Sequence, residues 1–360
     1  MRKNFLVLLV ICLILILPSS VYAQEGTNEK TIKEVVKSMF VNTAKITGYA
    51  QMGYIYQDDN AKDISTFKIN HVRLFLNGTF GKIFEYRIQM EGFSNSKDQQ
   101  NKSMISIHDM FVKAHICPAL TLELGQFPNP LSMENFELSP ATRETVDGST
   151  LVSRMVCYNP VSEISNYGRD CGIMAYGSLL PQDEFSIINY NIVLSNGSQL
   201  NGPDANKSKD FVGRLIIQPI KDLKIFASTM IGNSNIADSD KSANLKRYVA
   251  GAYYNHHNGF RVRSEYGKVS CDDKGLDINQ NMFYAIVAYN FQGKYMPIFR
   301  YDTYEDANVD NSRENNYLVG LLYTPISRLR VQADYTYSKY GDALNKNDGK
   351  LFQLMVTIFM

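Results

Sequence analysis

From residue 44 onward the sequence is a succession of runs about ten residues long in which apolar and polar side chains alternate, and the gaps between runs alternate in length as well. Short gaps fall at 81–82, 117–119, 181–184, 219–222, 256–259, 292–294 and 325–328. Long polar gaps fall at 57–64, 94–102, 127–169, 196–208, 233–243, 271–279, 304–313 and 340–349. Seven short and eight long connections imply sixteen strands, and an even number brings both ends of the barrel to one side. Strict alternation of turn and loop is the pattern of an up-and-down antiparallel β-barrel, which crosses a membrane with strands of about 9–11 residues. A soluble sandwich alternates too, but nothing in its construction separates sixteen runs by two alternating classes of connection. The expected fold is therefore all-β: a transmembrane barrel of about 16 strands over 44–360, with the long connection 127–169 folded inward as a constriction loop.

The run "FEYRIQMEG" shows the pattern at its clearest. Phe84, Tyr86, Ile88 and Met90 leave one face, and Glu85, Arg87, Gln89 and Glu91 leave the other. In a membrane barrel the first set meets lipid and the second lines a water-filled lumen. The same parity turns Arg73, Glu85, Arg87, Asp109 and Lys113 inward in the first part of the chain. It turns Arg214, Arg247, Arg261 and Arg263 inward in the middle, and Arg300, Asp302 and Arg330 near the end. Rings of charge set what a pore passes, so these are the candidate channel-lining residues; the plainer reading is that many simply pair with neighbouring carboxylates. Arg154, Arg169 and Asp170 belong to the long connection and are candidates for the constriction. Runs 172–179 and 223–231 carry apolar residues on both faces and fit the pattern poorly.

The chain opens with Arg2 and Lys3, an apolar run from Phe5 to Leu17, and small residues before Ala23, which reads as a secretory signal peptide over 1–23. The run is too short for the roughly 20 residues of a spanning helix. In 24–43, Ile32, Val35, Val36, Met39 and Phe40 recur at helical spacing, so a short amphipathic helix in a periplasmic segment is expected ahead of the barrel. Without Arg2 and Lys3, 35 bases remain against 36 acids, a net charge near −1, and no nucleic-acid partner is expected. Tyr (23) and Phe (19) are plentiful and Trp is absent, so tyrosine must supply the aromatic girdles of a barrel.

Other chemistries have thinner support. Ser106 and His108 stand two apart, at the parity of Met110 and Val112, which suits a phospholipase-like pair near the lipid face but offers no third, orienting residue. Acid pairs such as Asp58 with Asp59 and Asp272 with Asp273 suit a surface barrel that holds cations bridging lipopolysaccharide, though no spacing matches a calcium loop. Five scattered His, with only His256 and His257 adjacent, give no metal motif, and no cofactor is expected. Cys157 and Cys171 would close a 15-residue ring as a disulfide, contributing about 3 kcal/mol in the chain-entropy model; buried free thiols are the alternative.

Three stretches, "LELGQFPNPLSMENF" (122–136), "TLVSRM" (150–155) and "YGRDCGIMAYG" (167–177), resemble the phosphate-selective porin O and P family, and "RYD" at 300–302 is similar to a late strand of that family. The resemblance spans roughly 44–360, and Gly168-Arg169-Asp170 with Gly172 is its most specific part. It implies a 16-stranded outer-membrane barrel of a Gram-negative bacterium, usually a homotrimer, that passes small polar or anionic solutes, phosphate-type anions among them, and that is not an enzyme. It does not carry phosphate selectivity itself: no arginine ladder aligns, and acids also occupy inward positions, including Glu91, Glu265 and Asp334.

Overall fold

A strand inside lipid cannot leave backbone N–H or C=O groups unpaired, so a spanning sheet has to close on itself. In the computed structural model of this chain it does. The structure describes residues 43–59, 62–92, 105–204, 206–237, 239 and 241–360. The signal peptide, the 24–43 helix (apart from Thr43, which is strand) and the 94–102 connection lie outside the described residues.

The strands are β1 (Thr43–Asp59), β2 (Lys62–Phe80), β3 (Phe84–Gly92), β4 (Ile105–Cys117) and β5 (Leu120–Pro128), then the two-residue strands β6 (Tyr158–Asn159) and β7 (Ile164–Ser165). They continue with β8 (Arg169–Pro181), β9 (Ser186–Ser195), β10 (Asp210–Ile220), β11 (Leu223–Asn235) and β12 (Ser242–Asn255). The last six are β13 (Phe260–Asp273), β14 (Leu276–Tyr289), β15 (Tyr295–Asp306), β16 (Glu314–Ile326), β17 (Leu329–Tyr340) and β18 (Gly349–Phe359). All but β6 and β7 form one closed barrel of sixteen antiparallel strands, each beside its neighbour in sequence, with β1 pairing β18 from Tyr49↔Phe359 to Asp58↔Lys350. The closure is completed by the Met360 N–H, which donates to the Gly48 carbonyl at 2.9 Å.

The outer face is apolar all round: Met110, Leu124, Ile192, Leu215, Ile225, Phe299, Val319 and Leu354 are all exposed. Apolar surface this extensive is stable against lipid and not against water. Aromatic pairs stud it, with Tyr295–Tyr323 and Phe80–Phe84 stacked near the short turns (4.8 and 4.9 Å) and Tyr301–Tyr317 nearer the loops (5.3 Å). Among the described residues no helix is long and apolar enough to cross a membrane; the strands do so.

Two connections expected to be long are only two residues long. β1 runs to Asp59 and β2 starts at Lys62; β13 runs to Asp273 and β14 starts at Leu276. Lys274 (φ 56°) and Gly275 (φ 84°) both have positive φ, as a two-residue hairpin turn of type I′ requires. Polar residues at these strand ends extend the ladder beyond the apolar belt, and polarity alone imitates a loop.

Two bulges reset the parity. At Gln51/Met52 the partner strand carries Asn70 as an extra residue, and at Gln89/Met90 it carries His108. The second places Ser106 opposite Glu91 and Asp109 opposite Gln89, so Ser106, His108 and Asp109 all turn inward. This corrects the expectation that Ser106 and His108 share the lipid-facing parity of Met110.

Candidate functional site

Between β5 and β8, residues 129–168 leave the wall and fold against its inner surface. The base of this segment is pinned where it leaves and returns. The Asn129 N–H donates to the Gly168 carbonyl at 2.8 Å, and Asn135 Nδ2 donates to both the Asn129 and Gly168 carbonyls at 3.1 and 3.0 Å. Gly168 is needed there. Its φ is +69°, and a Cβ would stand 2.3 Å from Asn135 Oδ1. Helix α1 (Met133–Glu137) follows, capped by Ser132, whose hydroxyl accepts from the Asn135 N–H. A π-helical turn comes next (Val152–Val156), and then the β6–β7 pair.

The segment is held in two ways. Its apolar side chains Leu131, Met133, Leu151, Val152 and Met155 are buried against Phe226, Met230, Val249, Val269 and Met282 of the wall. This explains the untidy runs at 172–179 and 223–231: Met174, Phe226 and Met230 face inward beneath or beside the segment, where water is excluded. Polar anchors flank that seam. The N–H groups of Val146 and Thr150 donate to Asp334 Oδ2 and Asp302 Oδ1 at 2.7 and 2.9 Å. Arg300 spans Asp302 (2.6 Å), Thr145 Oγ1 and the Asp147 carbonyl (both 2.8 Å), and Arg330 donates to the carbonyls of Ala141 and Arg143. Glu265 is fully buried and accepts from the Glu134 N–H, Tyr253 Oη and Tyr284 Oη at 3.0, 2.6 and 2.9 Å.

The central ion pair is Glu144. Its carboxylate meets Arg263 at 2.5 Å and Arg261 at 3.3 Å. Burial pushes its pKa upward, but the two guanidiniums and the hydrogen bonds outweigh that and hold it below the ordinary carboxylate range. Nothing in the local sequence pattern around Glu144 marks it as their partner. Glu123, which is not among the sequence candidates, faces Lys113 at 3.8 Å, although the alternation of "LTLELGQF" gives it the inward parity.

The inner face of β1–β5 and β8 is more polar, although Phe111, Phe127 and Met174 on it still join the apolar cluster. Arg73 pairs with Glu91, which also meets His71 Nδ1 at 3.0 Å. Arg169 binds Asp109 at 2.7 Å. Arg169 and Asp170, expected in the connection, instead open β8 opposite Pro128 and Phe127. Asp170 is buried and accepts from the Gly197 and Cys171 N–H groups at 2.7 and 2.8 Å. Glu85 meets His115 at 3.2 Å. Arg87 donates to Asn77 Oδ1 at 2.8 Å and lies over the Phe75 and Phe111 rings; no carboxylate pairs with it among the described residues. Solvent reaches this face from within: the side chains of His71 and Lys113 are 23% and 21% exposed, although both stand on the inner register.

The remaining candidates divide between the two regions. Arg214 donates to Asn191 at 3.0 Å and covers the Phe136 ring, and Arg247 donates to Met230 Sδ at 3.1 Å; both are buried. Arg154 reaches Glu314 at 2.6 Å over the Tyr304 ring. Cys157 and Cys171 are free thiols: Asp170 points inward, so Cys171 next to it points outward, while Cys157 belongs to the inner segment. Neither Ser106 Oγ nor the ring nitrogens of His108 have a hydrogen-bond partner among the described residues, so these two are not joined as nucleophile and base.

No known protein family matches the sequence. No curated protein is similar to it either. Solved structures are similar in fold. The anion-selective porin from Comamonas acidovorans is 14% identical with a TM-score of 0.65, over 88% of this chain and 99% of that one. OmpF of Salmonella typhi, solved with daunomycin, is 9% identical with a TM-score of 0.64, over 89% and 98%. The trimer form of OmpT, an outer membrane protein of Vibrio cholerae, is 11% identical with a TM-score of 0.62, over 89% and 100%. At these identities the likeness is one of fold: this chain has the sixteen-stranded barrel of bacterial porins.

Proposed function

We propose that this protein is an outer-membrane porin of a Gram-negative bacterium, exported by its signal peptide, through which small polar or anionic solutes diffuse passively. The observation that carries the reading is the division of the inner surface. One region is bound to the folded segment, and the other presents solvent-reached charges. The segment acts as the constriction, and the inward bases and acids form the channel lining. Arg73, Arg169 and Lys113 each have an acidic neighbour, so the field across the lumen is mild. Arg87, without such a neighbour among the described residues, gives it a weak preference for anions. Phosphate-type anions fit that preference as one class among several, without a dedicated phosphate site. A homotrimer held through the lipid-facing wall belongs to the same reading. Lipid and lipopolysaccharide are its surroundings.

The test is a planar bilayer holding the detergent-folded protein, with conductance and reversal potential measured across a salt gradient. Discrete steps with a small anion bias are expected. Folded protein that gives no conductance steps would overturn the reading. Cross-linking in detergent, giving a three-chain band, checks the assembly.

A further inference from the structure

The two adjacent histidines, His256 and His257, acquire a third neighbour in the fold that their sequence does not supply. They sit in the turn between β12 and β13, on the rim that holds the barrel ends. The turn between β10 and β11 lies beside them and carries Asp222. The Asn255 N–H donates to the Asp222 carbonyl at 2.9 Å, so the two turns are tied by backbone. The histidine turn is itself fixed: the Gly259 N–H donates to the His256 carbonyl at 3.0 Å, and the His256 N–H donates to the Phe260 carbonyl at 2.9 Å.

On this frame, one donor atom each from Asp222, His256 and His257 lie within 4.8 Å of one another. The imidazole rings are 4.0 Å apart, and His257 Nδ1 is 3.9 Å from Asp222 Oδ2. Among the described residues the Asp222 carboxylate has no closer ion-pair or hydrogen-bond partner. Lys221, next to it in sequence, is engaged by Glu184 instead. His256 Nδ1 has only a long 3.3 Å contact from the Asn258 N–H, which an ion claiming either ring nitrogen would give up at little cost.

We infer that Asp222, His256 and His257 form a binding site for a divalent transition-metal ion of the zinc, nickel and copper class. Two neutral imidazoles and one carboxylate are the donor set these borderline ions take, and hard ions such as calcium and magnesium do not. An ion about 2.0–2.1 Å from each donor draws the three to roughly 3.4 Å of one another, a shift of about 1 Å within reach of side-chain rotation at the exposed His257 and the part-exposed Asp222 and His256. Three protein ligands leave a position open to water. The bound ion would clamp the β10–β11 and β12–β13 turns together at the rim, away from the lumen charges described above.

The experiment is isothermal titration of Zn²⁺ alone into the full chain folded in detergent, compared with the double variant His256→Ala, His257→Ala and with Asp222→Asn. One saturable site per chain is expected. The double variant should bind at least ~10-fold more weakly, and Asp222→Asn should fall between it and wild type. Heat-shifted gel migration identical to wild type checks that each variant is folded. The inference is overturned if folded wild type shows no saturable zinc binding, or if the double variant binds zinc as wild type does.

Discussion

The inner wall of this barrel is built in two chemically different ways. Along β10–β15 it is apolar at Phe226, Met230, Val249, Val269 and Met282, and residues 129–168 cover it. Along β1–β5 and β8 it carries His71, Arg73, Arg87, Asp109, Lys113 and Arg169. The first arrangement is a small protein core inside a membrane barrel. The second is a polar surface of mostly buried ion pairs, partly exposed at His71, Arg87 and Lys113. One sheet accommodates both because period-two alternation fixes only which side a residue faces. What meets that side is decided elsewhere in the chain.

The largest effect should come from removing the cover. Replacing 131–165 with a short Gly/Ser linker exposes the apolar region to water and widens the lumen; single-channel conductance should rise on the order of twofold or more, and the barrel should melt earlier. A conductance unchanged from wild type would place the segment outside the conducting path.

Next is the buried charge that fastens the segment. Glu144→Gln leaves Arg263 and the part-exposed Arg261 without their carboxylate, and breaking a buried pair costs about 3–5 kcal/mol. Thermal unfolding followed by circular dichroism checks this, together with noisier current steps from a loosened segment. Acid should act in the same direction on wild type. The native pKa of Glu144 lies below its unfolded value, so its contribution is whole above about 4.3 and is lost as pH falls from there through the native value. Current noise recorded from about pH 6 to about pH 3 should rise at the acid end in wild type and hardly change with pH in Glu144→Gln.

A smaller effect belongs to the polar region. Arg87→Glu should shift the reversal potential toward cations while leaving the melting temperature nearly unchanged, because the side chain packs on Phe75 and Phe111 without a carboxylate partner among the described residues. The smallest concerns the thiols. Cys157→Ser with Cys171→Ser should change stability by less than about 0.5–1 kcal/mol, and alkylation of unreduced wild type should label both thiols. A mass unchanged by alkylation until reductant is added would restore the disulfide.

The sequence by itself determined the barrel. Sixteen alternating runs, the two classes of connection, and the inward placement of residues such as Arg73, Arg87 and Arg300 were legible because alternation and turn chemistry are local properties of the chain. Tertiary structure decided the rest. It turned Ser106 and His108 inward through a bulge that one strand's pattern does not announce, and it made a tight turn of Lys274 and Gly275 amid polar residues. It joined Glu144 to Arg261 and Arg263, more than a hundred residues away, and brought Asp222 to His256 and His257. Such pairings depend on which strands the closed sheet sets side by side and on which wall the inner segment covers, and no local periodicity encodes either.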